Sequence, residues 1–241
     1  MNRSAFFYIF LLFSFSAFSQ KKNNFNLLFI GNSYTFANTG PGNPEVPLKL
    51  AELAQLNGKK LVYDFTMRGG KSLRWHWNEG QAITKVKSGK KYDYIILQDF
   101  SLMTVLPDSL SDFKKYLGRY DSLIRTTSSK ALLYMTWGRQ HRPAMIDTVA
   151  DHYLSMGNKL NIPVVKNGLA WKYLAVHYPH LNLYHDDKSH ANDLGVYLNA
   201  AMFYFYLFKE VPSRKMVNTT NAKAATKEEI ELIWKLVPLI K

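Results

Sequence analysis

The chain has 241 residues, 47% hydrophobic and 20% charged, which excludes wholesale disorder and collagen-like or low-complexity structure. It has no cysteine, so a disulfide scaffold, a zinc–thiolate site, an iron–sulfur cluster and a cysteine nucleophile are excluded together. The net charge of +13 raises nucleic acid as a partner, but the lysines are scattered in ones and twos with no basic helix interleaved by aromatics, so no nucleic-acid partner is expected and the charge suits an anionic envelope or an acidic polysaccharide.

In chain order, residues 1–19 read as a secretory signal peptide. Asn2 and Arg3 make a short positive start, residues 5–17 are almost wholly apolar, and Ala17 and Ser19 put small residues just before a cleavage point at Gln20. The apolar run is too short for a comfortable membrane span. The expectation is an exported single domain over 20–241, secreted or periplasmic, with no stable membrane insertion.

A buried strand is predicted over 26–30, ending at Gly31. A helix over 44–56 places Val46, Leu50, Leu53 and Ala54 on one face. A second strand follows over 61–65 and a third over 94–97, apolar throughout, as strands covered on both faces tend to be. A helix over 108–124 sets Leu110, Phe113, Leu117, Tyr120 and Ile124 at helical spacing. Strands over 131–135 and 162–165 come next. The apolar helix over 191–208 contains Asn199 and suits a buried core better than a membrane. Thr226 and Glu229 form a capping box before a last helix with Ile230, Ile233, Trp234 and Val237 on one side. This alternation predicts an α/β fold whose parallel sheet is covered by helices on both faces.

In such sheets the reactive groups stand just beyond the carboxyl ends of the strands. After the first strand, Gly31-Asn32-Ser33 makes a tight turn that holds a hydroxyl at the rim with its own N–H free. A phosphate loop would need more glycines and a Gly-Lys-Ser/Thr, and a Gly-x-Ser-x-Gly elbow is ruled out by Thr35. After the second strand, Gly69 and Gly70 let a backbone N–H approach a ligand, although a plain flexible loop reads equally well. Gln98 offers an amide donor after the third strand, and Trp137 and Arg139 follow the fourth. Near the C-terminus, Asp187 precedes His190 by three residues. It can hold the imidazole through its Nδ1 proton and leave Nε2 to take a proton from a serine. A metal site of His185, Asp186, Asp187 and His190 would need a further set of ligands.

The order of Ser33, Gly70, Gln98 and the Asp187-x-x-His190 pair resembles the SGNH/GDSL hydrolase family over essentially all of 20–241. The resemblance implies a three-layer α/β/α sandwich around a five-stranded, mainly parallel sheet, flavodoxin-like in build. It implies Ser33 as nucleophile, His190 as base, Asp187 as its orienting acid, and an oxyanion hole from Ser33, Gly70 and Gln98, with no metal or organic cofactor. Two departures stand out: the family usually has Gly-Asp-Ser where this chain has Gly31-Asn32-Ser33, and usually an Asn where this chain has Gln98. Asn32, Arg68, Trp75, His76, Trp137 and Arg139 also fall near strand ends and are the expected substrate contacts. The aromatics would stack on sugar rings or simply pack in the core, and the cations would meet a carboxylated or sulfated glycan. The expected activity is that of a secreted serine esterase acting on a small-molecule or glycan ester, most simply removing O-acetyl groups from carbohydrate. The alternatives are a lipase or thioesterase, an inactive glycan-binding module of the same fold, and a basic structural protein of the envelope.

Overall fold

Short runs rich in Leu, Ile, Phe and Val pair side by side into one sheet. In the computed structural model, which describes residues 22–37, 40, 42, 44–215 and 225–240, the strands are β1 (Asn24–Gly31), β2 (Lys60–Met67), β3 (Tyr94–Leu97), β4 (Lys130–Tyr134) and β5 (Val164–Val165). The expected signal peptide lies outside the described residues. All neighbouring strands are parallel, in the order β2-β1-β3-β4-β5. The helices are α1 (Ser33–Phe36), α2 (Glu45–Leu56), α3 (Leu73–Glu79), α4 (Gln81–Val86), α5 (Pro107–Arg125), α6 (Met145–Leu160), α7 (Asn167–His177), α8 (Asp193–Phe208) and α9 (Lys227–Leu236), followed by a 3-10 turn (Val237–Leu239).

Side chains alternate across a strand, so each strand feeds two cores. Leu27 and Phe29 of β1, Ile96 of β3 and Leu132 and Tyr134 of β4 face a cluster built with α2, α7, α8 and α9. Leu28 and Ile30, Ile95 and Leu97, and Leu133 face the opposite cluster, built with α3, α4, α5 and α6. The result is the three-layer α/β/α sandwich expected from the sequence. The apolar helix α8 packs against α2 and α9. Its buried Asn199 accepts hydrogen bonds from Trp171 Nε1 (2.9 Å) and Asn167 Nδ2 (3.1 Å), which explains a polar residue there. Among the described residues no helix is long and apolar enough to cross a membrane.

Helices α1, α3, α4, α6 and α7 are additions to the predicted set. α3 and α4 have seven and six residues and are split at Gly80, in the left-handed region at φ 78°, so neither is long enough to show a helical period. α6 does show one, with Ile146, Val149, Ala150, Tyr153 and Met156 buried, and was legible in the sequence.

From β1 the chain crosses outward to β2 and then returns past β1 to β3. The strand order therefore reverses at β1, and the carboxyl ends of β1 and β3 flank the crevice where open parallel sheets present their ligands.

Candidate active site

Ser33 begins α1 immediately beyond β1. Asn32 is the N-cap of that helix, with its Oδ1 accepting from Tyr34 N–H at 3.2 Å. Gly31 is required at this turn, because a Cβ there would stand 2.6 Å from Gln98 Oε1 and 3.0 Å from Thr35 Oγ1. Ser33 N–H and Gly70 N–H have no hydrogen-bond partner among the described residues.

The other half of the site lies 157 residues further on, where His190 Nε2 stands 2.8 Å from Ser33 Oγ. His190 Nδ1 is hydrogen-bonded to Asp187 Oδ2, while Asp187 Oδ1 accepts from Ser189 N–H and His190 N–H, both at 2.9 Å. Partial burial alone would raise the Asp187 carboxyl. The hydrogen bonds from the His190 ring and from the two backbone N–H groups outweigh it and hold the carboxyl at about 2. The segment is a tight loop closed by an antiparallel bridge between Tyr184 and Ala191, with Lys188 at its tip in the left-handed region (φ 59°). The structure thus brings Ser33, His190 and Asp187 into one hydrogen-bonded line from opposite ends of the chain.

Aromatic rings hold that loop in place. Tyr34 OH meets Ser189 Oγ at 2.8 Å, and the Tyr34 ring lies edge-on to His190 with centroids 5.4 Å apart. Trp137 Nε1 donates to the Ser189 carbonyl at 3.0 Å. The Trp137 ring is stacked between Tyr34 (4.5 Å) and Trp171 (4.1 Å, rings 3° apart) and is 0% exposed. The expectation that Trp137 stacks on substrate is corrected: both faces of its ring are already covered by protein.

Three more sequence expectations change. Gln98 does not present a free amide to the site. It is 1% exposed; its Oε1 accepts from Asn32 N–H (2.8 Å) and Thr35 Oγ1 (3.0 Å), and its Nε2 donates to Asn32 Oδ1 (3.0 Å) and to the Asp99 carbonyl. Both amide hydrogens are engaged, so Gln98 bolts the turn before Ser33 and is not an oxyanion donor. Asn32 is equally buried and is tied to Lys71 O through Nδ2 at 2.9 Å, which removes it from the substrate surface. His76 is 2% exposed and points inward, with its Nε2 2.8 Å from the Gly31 carbonyl. Of the remaining expected contacts, Arg68 is exposed, Trp75 is half-buried under Lys71 Nζ (5.7 Å), and Arg139 is half-buried with its Nε unpartnered among the described residues.

Asp99 escaped the sequence reading. This residue after Gln98 is fully buried; its Oδ1 accepts from Leu73 N–H (2.9 Å) and Phe100 N–H (2.7 Å), and its Oδ2 has no partner among the described residues. Burial pushes its carboxyl up to about 7, with the nearby charge of Asp112 adding to the rise and the two N–H donors opposing it. Asp99 thereby fastens the first turn of α3, just past the glycine loop, to the end of β3. An acid directly after an apolar strand was the available signal.

No protein-family model matches the chain, and no curated protein matches it in sequence. Solved structures do resemble it. A DUF4886 family protein from Bacteroides uniformis superposes with a TM-score of 0.69 at 17% identity, over 90% of this chain and 94% of that one. A candidate SGNH hydrolase from Slackia heliotrinireducens gives 0.59 at 19% identity, over 76% and 98%. An acetylxylan esterase from Geobacillus stearothermophilus, as a catalytic mutant, gives 0.61 at 14% identity, over 79% and 97%. The chain shares the fold of the SGNH and GDSL-type hydrolases.

Proposed function

We propose that this chain, built on the SGNH hydrolase fold, is a serine esterase that uses Ser33, His190 and Asp187. The observation that carries the proposal is the 2.8 Å contact between Ser33 Oγ and His190 Nε2, with Asp187 bound to the other ring nitrogen. Ser33 Oγ attacks the ester carbonyl as its proton passes to Nε2. Asp187 keeps the second ring proton on Nδ1 and stabilises the imidazolium. The carbonyl oxygen becomes an oxyanion, for which the unpartnered N–H groups of Ser33 and Gly70 are the donors. The tetrahedral intermediate collapses, the alcohol leaves with the proton from His190, and an acyl-serine remains. Water, deprotonated by the same imidazole, then releases the acid and restores Ser33.

The substrate proposed is an O-acetylated carbohydrate. The half-buried Trp75 and the exposed Arg68 beside the glycine loop suit a sugar, and one neighbour of the same fold is named an acetylxylan esterase. The leader expected over 1–19 and the net positive charge suit an exported enzyme working on an envelope or extracellular polysaccharide. A fluorophosphonate probe should label the protein at Ser33 and fail on Ser33→Ala, whose turnover should fall by about 10⁴–10⁶-fold. A panel of p-nitrophenyl esters and acetylated xylan should show preference for acetyl. A preference for long acyl chains would replace this substrate with a lipid or thioester, and an unlabelled Ser33 would leave a binding module.

A further inference from the structure

Gly70 N–H is useful to an oxyanion only if it is held at a fixed place relative to Ser33, and Gly70 sits in an exposed turn at φ 65°. Hydrogen bonds hold it; beside the one from Leu73 N–H to Asp99 Oδ1 (2.9 Å), three converge on the two residues before Ser33. Arg68 N–H, just ahead of the glycines, donates to the Gly31 carbonyl at 3.2 Å. Lys71, just after them, accepts from Asn32 Nδ2 at 2.9 Å. One turn into α3, His76 Nε2 reaches the same Gly31 carbonyl at 2.8 Å. A carbonyl oxygen can only accept, so His76 is the tautomer with hydrogen on Nε2. Burial lowers the pKa of His76, with the hydrogen bond to the Gly31 carbonyl opposing it. Trp75 lies edge-on to the ring with centroids 5.1 Å apart and helps to fix it.

We infer that His76 is a positioning residue: through the Gly31 carbonyl it locks α3, and with it the Gly70 N–H, onto the strand end that presents Ser33. The inference rests on the esterase proposal for its catalytic consequence, but not for its geometric one. With Gln98 turned away, the oxyanion has two backbone donors and no side-chain donor, so alignment of those two matters more. His76 stands in the place where a buried histidine could be mistaken for a base, yet its Nε2 holds a carbonyl and has no path to the ester.

The test compares His76→Phe, which keeps the bulk and loses the donor, with His76→Gln, which returns an N–H at the same reach, and with His76→Asn, which is one methylene short. On p-nitrophenyl acetate, His76→Phe and His76→Asn should lower kcat by about 10–100-fold with KM within about twofold, while His76→Gln recovers most of the loss. Independently of turnover, ¹⁵N relaxation should show the Gly70 amide more mobile in His76→Phe and His76→Asn than in wild type or His76→Gln. A Gly70 amide equally rigid in all folded variants overturns the inference, as does a His76→Gln no better than His76→Asn. Should His76→Phe fail to fold, the Gln and Asn pair decides the question alone. A wild type inert towards every ester would refute the esterase proposal only, because the Gly70 signal still decides the role of His76.

Discussion

Asp99 gives a stability test with a defined sign. In the folded chain its carboxyl holds its proton up to about pH 7, whereas an unfolded aspartate releases it at its ordinary value of 3.8. Between those limits the folded state binds one proton more, so stability falls as pH rises, and above about pH 7 the full penalty is in place. A gap of roughly three pH units corresponds to about 4 kcal/mol. Asp99→Asn keeps an acceptor for Leu73 N–H and Phe100 N–H and replaces the unpartnered Oδ2 by an NH₂ group. Its second unmatched hydrogen costs about 1 kcal/mol. Urea unfolding from about pH 4.5 to about pH 8.5 should therefore show the variant within about 1 kcal/mol of wild type at the acid end and about 3 kcal/mol more stable at the alkaline end. Every other titrating group is common to both proteins, so the difference curve isolates residue 99. Parallel curves across the whole range would refute the reasoning, since they would mean that Asp99 is ionised in the fold at ordinary cost.

Two further variants probe the turn before the nucleophile. Gln98→Ala removes the acceptor of buried Asn32 N–H and the donor to Asn32 Oδ1, and should cost about 2–4 kcal/mol in urea unfolding together with most of the turnover, whereas an oxyanion donor alone would leave stability unchanged. Gly31→Ala places a Cβ 2.6 Å from Gln98 Oε1, so it should lower both the melting temperature and the rate of fluorophosphonate labelling; an unchanged labelling rate would show that the turn tolerates displacement.

The strands, the layer order and the members of the Ser33–His190–Asp187 line were legible because each depends on local pattern: short continuous apolar runs alternating with amphipathic stretches, a glycine turn after a strand, an Asp three residues before a His. The capping box of Thr226 and Glu229 was legible for the same reason and is present at α9. What was not legible depends on contacts between distant segments. Gln98 and His76 each carry a donor that suits a substrate, and nothing local reveals that one turns toward Asn32, 66 residues away, and the other toward Gly31, 45 residues away. Trp137 follows a strand end as an exposed binding residue would. Tyr34 from α1 and Trp171 from α7 cover its two faces. Gly168 of α7 lies so close to the segment following β4 that a Cβ would sit 2.0 Å from the Thr136 carbonyl, an approach that no periodicity in the sequence announces.

The parallel indoles of Trp137 and Trp171 give the molecule an intrinsic optical marker. Transition dipoles at that separation couple strongly, and the inner indole is tethered to the carbonyl adjacent to His190. Absorption and emission of the stacked pair therefore respond to the docking of the histidine loop without substrate, label or catalysis.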